Sequence, residues 1–256
     1  MSEHSNNILT LPVVDMVDER QAILLDIFRF ITAMQLRRNI QQIYIYGLHN
    51  TQHLVNHTGA IIALNHQSYW NTPLFLYLSE LLGKRAFSFM PKEYLSNRAY
   101  LRWCGIIPLA TNTPSIAQTQ LRNAFKLATE PTQLWAYPQE QHHSVHFRPM
   151  QFNHNIGLLA SSTAYPIVPT TIQFLFHDDK RPHAYIHFGT PLSSKASMID
   201  FTHAVSLGLD AIQAFYKNPS SNEFQALFKR NDKRPSWFRQ ALSMFASWSL
   251  RDHDAP

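Results

Sequence analysis

Residues 61–71 read Ile61-Ile62-Ala63-Leu64-Asn65-His66-Gln67-Ser68-Tyr69-Trp70-Asn71, and the chain continues Thr72-Pro73-Leu74-Phe75-Leu76-Tyr77-Leu78-Ser79-Glu80-Leu81-Leu82. The opening run is short, uncharged and rich in isoleucine, which suits a strand covered on both faces. The later run has proline near its start and Leu and Phe at helical spacing. A strand feeding a helix, with His66 at the junction, is the repeating unit of open α/β sheets, and ligands bind at the carboxyl ends of their strands. The helix N-terminus disfavours imidazolium, so it keeps His66 neutral and able to accept a proton. Alone, a histidine at such a hinge is more simply read as a capping or core residue. The segments around it decide.

Upstream, Gln42-Ile43-Tyr44-Ile45-Tyr46-Gly47 alternates as a half-exposed strand should, joined to residue 61 by a polar connection. Residues 18–38 carry apolar side chains at three- and four-residue spacing and read as an amphipathic helix. It packs on the sheet in one reading; in another, Phe28, Phe30 and Met34 dip into lipid beside Arg29, Arg37 and Arg38. Downstream, residues 85–90 read as the next parallel strand, residues 91–95 and then 103–109 follow it, and Pro114 and Pro131 bracket a helix. Strand 133–137 is followed by Pro138-Gln139-Glu140-Gln141-His142-His143. A helix over 151–162, strands over 166–172 and 184–191, and a long helix over 201–216 interrupted by Gly208 complete the pattern.

At these residues the chain resembles the lysophosphatidate and glycerol-3-phosphate acyltransferases, whose signature is Asn-His, four residues, then Asp. Asn65-His66 matches, while Asn71 stands where that family has Asp. Lys92 just past a strand, then Gly105-Ile106-Ile107-Pro108, resembles the second family block, although the Arg that grips the acceptor's phosphate is missing after Pro108. Pro138 resembles the third block, Phe-Pro-Glu-Gly-Thr-Arg, with Gln139 for Glu, Glu140 for Gly and His142 for Arg. The resemblance spans roughly residues 40 to 195. It implies a mixed, largely parallel α/β sheet flanked by helices, and transfer of a fatty acyl group from acyl-CoA or acyl-ACP to a hydroxyl or amine. It implies His66 as general base, with Asn71 and Glu140 as catalytic partners and Lys92, Gly105, Pro138 and Gln139 as substrate-binding positions. Thr or Asn cannot replace a guanidinium fork, so an acceptor without phosphate is expected: an amine, a sugar or a specialised-metabolite hydroxyl.

An Asp at position 71 would orient the imidazole and stabilise its cation; Asn71 can orient it but brings no charge. Three readings stay open: Glu140 supplies the carboxylate, the acceptor is an amine that needs less help, or Asn71 traps bound substrate. Tyr69, Trp70, Phe75, Phe87, Phe89 and Trp103 are candidates to line an acyl tunnel, each equally at home in a core. A catalytically silent relative that binds a lipid or an acyl carrier is the rival reading.

The bulk numbers agree. The chain has 256 residues, 45% hydrophobic and 15% charged, with a formal net charge of +5. This suits one α/β domain, an unusually uncharged surface, and a membrane surface or acidic carrier as partner. No dense basic stripe with interleaved aromatics points to nucleic acid. A single cysteine, Cys104, excludes an internal disulfide and a multi-thiolate metal site. His142, His143 and His146 read as a solvated loop. No tightly bound cofactor is expected, only the acyl thioester as co-substrate. The N-terminus lacks the plan of a signal peptide and no run of about eighteen apolar residues occurs, so a cytoplasmic protein, peripheral on a membrane at most, is expected. The organisation expected is an arm and amphipathic helix over 1–40, the α/β domain over 41–218 and a helical extension over 219–256. Within that extension, Trp237, Phe238, Leu242, Phe245 and Trp248 form an amphipathic stripe fit for the domain, a membrane or a dimer.

Overall fold

The structure is a computed structural model that describes residues 19–66, 68–83, 85–95, 98–109, 119, 131–139, 148, 150–152, 155–219 and 224–228. The expected helix between Pro114 and Pro131, Glu140, the histidines at 142, 143 and 146, and the aromatic tail lie outside the described residues.

In chain order the elements are α1 (Glu19–Asn39), β1 (Gln42–Tyr46), α2 (Leu48–His57), β2 (Ala60–Leu64), α3 (Asn71–Leu82), β3 (Ala86–Pro91) and the single turn α4 (Lys92–Leu95). A 3-10 helix (Ala99–Cys104), β4 (Ile106–Leu109), β5 (Gln133–Ala136), α5 (Asn155–Thr163), β6 (Ile167–Leu175), β7 (His183–Phe188), α6 (Met198–Lys217) and β8 (Gln225–Phe228) follow. The strands form one eight-stranded sheet in the order β4-β3-β5-β2-β6-β7-β1-β8. Pairings are parallel except β6 with β7 and β1 with β8. The sheet is therefore mixed and largely parallel, as expected.

β2 lies near its middle, between β5 and β6, and all five of its residues are buried. Ile62 and Leu64 face one way, into a core built with α1 and α3 residues such as Leu36, Leu74 and Leu78. Ile61 and Ala63 face the other way, against Leu159 of α5 and Phe201, Val205 and Leu209 of α6. That two-sided cover is why the strand reads as an unbroken apolar run. Ser197 and Asp200 close a reciprocal cap at the start of α6. Gly208, expected to interrupt α6, instead lets the helix approach: a Cβ there would overlap the Thr171 hydroxyl on β6.

Two features depart from the sequence reading. The connection before β2 is a helix, α2, whose buried residues are only Thr51 and Val55. Residues Gln225–Phe228, inside the span expected as a helical extension, add strand β8 antiparallel to β1, so the sheet extends past residue 218. Helix α1 packs mainly on α3 and the 3-10 helix, with Phe28 stacked on Tyr100 at 5.0 Å. Its Ile31 and Met34 stay exposed. Among the described residues no helix is long and apolar enough to cross a membrane.

Candidate active site

Strands β3, β5, β2 and β6 run parallel, so their carboxyl ends share one edge of the sheet. The pairing row Ala60–Gln133–Ala86 fixes the heights along it. Six residues beyond that row, on the three strands in turn, come His66, Gln139 and Lys92. His66, Gln139 and Lys92 thus all follow the carboxyl ends of neighbouring strands, with β2 and β3 two strand spacings, about 10 Å, apart. Lys92 is exposed at the first turn of α4.

The loop carrying His66 is braced by carboxamides. Asn65, 1% exposed, accepts from the Ile172 N–H at 2.7 Å and donates to the Ile172 carbonyl at 3.0 Å. Its side chain mimics a peptide unit and extends the β2–β6 ladder past the last residue of β2. Gln139, 4% exposed, accepts the His66 backbone N–H through Oε1 at 2.6 Å, which ties the histidine to the end of the neighbouring strand. Asn71, 2% exposed, donates to the Asn65 carbonyl at 3.0 Å and accepts from the Ser68 N–H at 3.3 Å. Ser68 in turn accepts the Trp70 N–H on its hydroxyl at 3.0 Å. Residues 65 to 71 are therefore pinned at both ends, and α3 begins from a fixed point.

The His66 ring is half-buried and lies 5.3 Å from the Tyr137 ring, centroid to centroid. Tyr137 donates from its hydroxyl to the Asn71 carbonyl at 3.2 Å. Burial pushes that phenol above its ordinary range, so Tyr137 remains a neutral donor. Tyr137 was not singled out from the sequence, and Asn65 entered only as the partner of His66 in the Asn-His pair. The contacts both make are long-range and are not encoded in that spacing.

The other expected residues divide. Pro138 is buried beside Gln139 at the same edge. Gly105 lies at the opposite end of β4, one residue before the Ser88–Ile106 pair and about 16 Å along the strands from the Lys92 level. With φ +82° and the Ala86 carbonyl where a Cβ would fall, it serves the turn between the 3-10 helix and β4. Of the proposed tunnel residues, Phe75 is sealed in the core edge-on to Trp135, whereas Tyr69 is 67% exposed at the mouth of the edge.

No family model and no curated protein sequence matches this chain. Among solved structures, the 1-acyl-sn-glycerophosphate (LPA) acyltransferase, PlsC, from Thermotoga maritima matches with a TM-score of 0.57 over 79% of this chain and 86% of that one. The two chains share a fold. At 15% sequence identity the likeness concerns architecture, and it agrees with the helix-flanked, mostly parallel sheet described above. Chemistry at the His66 edge must be argued from its own residues.

Proposed function

We propose that this protein is an acyltransferase, moving a fatty acyl group from acyl-CoA or acyl-ACP to a hydroxyl or amine, with His66 as general base. The observation that carries the reading is the mounting of His66. It stands at the carboxyl edge of the central strands, with its backbone clamped by Gln139 and its loop braced by Asn65 and Asn71. A positioned imidazole is what an alcohol or amine needs to attack a thioester. The acceptor's oxygen or nitrogen bonds to the acyl carbon as His66 takes its proton; the carbon–sulfur bond breaks, and the departing thiolate takes the proton back. Lys92, exposed on the same edge, is placed to attract the phosphates of the donor. The acceptor is proposed to be non-phosphorylated, because the positions after Pro108 and Pro138 where the family it resembles carries arginine hold none.

Free thiol release from a series of acyl-CoA thioesters, with and without alcohol and amine acceptors, tests this. Release should require an acceptor and should disappear in His66→Ala, while the variant's circular dichroism and melting curve stay those of the parent. Release that survives His66→Ala refutes the reading. A second reading, a relative that binds a lipid or acyl carrier without turnover, draws on Asn71, whose amide is occupied within the loop and carries no charge for the base. Tight acyl-chain binding without any thiol release would select it.

A further inference from the structure

The β6–β7 hairpin loop holds a second polar constellation, on the α6 face of the sheet. A cavity of about 350 Å³ is lined there by Tyr44, Tyr185 and Phe215, by His177 and His183, and by Asp178, Asp179 and Pro219. It is separate from the candidate active site. His183 begins β7, two strands from β2, and Tyr185 shares its core with α6 residues Ile212 and Phe215, whereas α3 follows His66 on the other face.

The loop is held in shape. His183 Nε2 lies 2.7 Å from Asp179 Oδ2, His177 Nε2 lies 2.6 Å from the Tyr185 hydroxyl, and Tyr216 donates to the Phe176 carbonyl at 3.0 Å. Tyr44 stacks on Tyr185 at 5.1 Å and on His183 at 6.0 Å. Burial, reinforced by Tyr44 and Tyr216, raises the Tyr185 phenol above its usual range, so it stays protonated and donates to His177. These contacts leave carboxylate oxygens of the lining over as acceptors. Among the described residues Asp178 has no hydrogen bond or ion pair, and Asp179 uses one oxygen. His183, nine-tenths buried, has no partner at Nδ1. Lys180 and Arg181 follow in the loop but lie outside the lining, and neither forms an ion pair with Asp178 or Asp179 among the described residues.

A hollow with two carboxylates, spare acceptors and aromatic rings, and with no cation of its own other than a protonated imidazole, is complementary to a cation that also presents apolar surface. A divalent metal ion fits less well, because no group of three ligating side chains converges among the described residues. We propose that this cavity binds a small organic ammonium ion, held by Asp178 and Asp179 and packed against Tyr44, Tyr185 and Phe215. The volume is at the small end of ligand sites, enough for an ion of about ten heavy atoms.

The test is titration calorimetry of the full chain with choline as the probe and 3,3-dimethylbutan-1-ol as its uncharged isostere. Choline should bind saturably and the alcohol should not. Asp178→Asn and Asp179→Asn should each weaken choline binding about fivefold, as expected for removing one charge roughly 4 Å from the cation in water-like surroundings. Both carboxylates are exposed, so the variants should fold, and an unchanged melting temperature checks it. No saturable heat with choline, equal binding of the alcohol, or unchanged affinity in both Asn variants would each overturn the assignment. Because binding is read directly, the result is independent of whether His66 catalyses acyl transfer.

Discussion

Replacing Asn71 by the Asp that the acyltransferase signature contains should damage this protein. The side chain meets two backbone groups of opposite kind: the Asn65 carbonyl, which only accepts, and the Ser68 N–H, which only donates. Those partners fix the orientation of the amide, and a carboxylate can satisfy only the second. In Asn71→Asp an anionic oxygen would stand about where the amide nitrogen now lies, 3.0 Å from the Asn65 oxygen, at a position 2% exposed. Stranding a buried carbonyl costs about 1–3 kcal/mol, and desolvating the charge adds to this. The N-terminus of α3 and the Ser68 N–H return roughly 1 kcal/mol. A net loss of about 2–4 kcal/mol near neutral pH follows. The penalty should depend on pH with a definite sign. When protonated, the introduced carboxyl could donate to the Asn65 carbonyl as the amide does, so its folded-state pKa is raised above the unfolded value. The folded form then holds the proton more tightly, and the variant loses stability as pH climbs from the unfolded carboxyl range through the folded pKa. Urea unfolding of both proteins at pH 4.5 and pH 8 measures this. A variant as stable as its parent at pH 8, or a deficit that fails to shrink in acid, would refute the account of the loop.

Gln139→Leu should lower turnover at least tenfold by freeing the His66 backbone, whereas Gln139→Glu, which keeps an acceptor, should retain most of it; a steady-state series of kcat and KM distinguishes the two. Gly105→Ala should cost about 3 kcal/mol or more in urea unfolding, from the positive φ and the overlap with the Ala86 carbonyl. A substrate-binding role at Gly105 predicts unchanged stability and a raised KM instead. Given a base whose loop carries no carboxylate, amine acceptors should outpace alcohols of the same shape by about a hundredfold at pH 9, read as thiol release; parity would remove the amine proposal.

Much of the fold was legible because burial leaves local marks. β2 and α3 announce themselves by an uninterrupted apolar run and by helical spacing after Pro73, and both lie in the core. α2 did not, since its sequence, Leu-His-Asn-Thr-Gln-His-Leu-Val-Asn-His, turns mostly polar residues to solvent and buries one apolar residue fully. β8 is a four-residue strand at the sheet's margin, too short for an alternation to register. At the site, the position of His66 was readable from the strand-to-helix junction. The roles of Asn65 and Asn71 were not, because they depend on which backbone groups the fold brings within reach, in one case across 107 residues of chain.

The departures from the acyltransferase signature differ in kind once their contacts are considered. Gln139 uses only its carbonyl oxygen toward His66, a duty that a glutamate could perform, so nothing in that contact demands an amide. Asn71 uses its donor as well as its acceptor, a duty that an ionised aspartate cannot perform. The first substitution is chemically optional and the second is required by the loop as it is built. A carboxylate at 71 would therefore entail a different path for residues 65 to 71, with the Asn65 carbonyl turned elsewhere. The loop and its carboxamide form one structural choice, and charge stabilisation of an imidazolium at His66 must come from outside residues 65 to 71, none of which carries an acid.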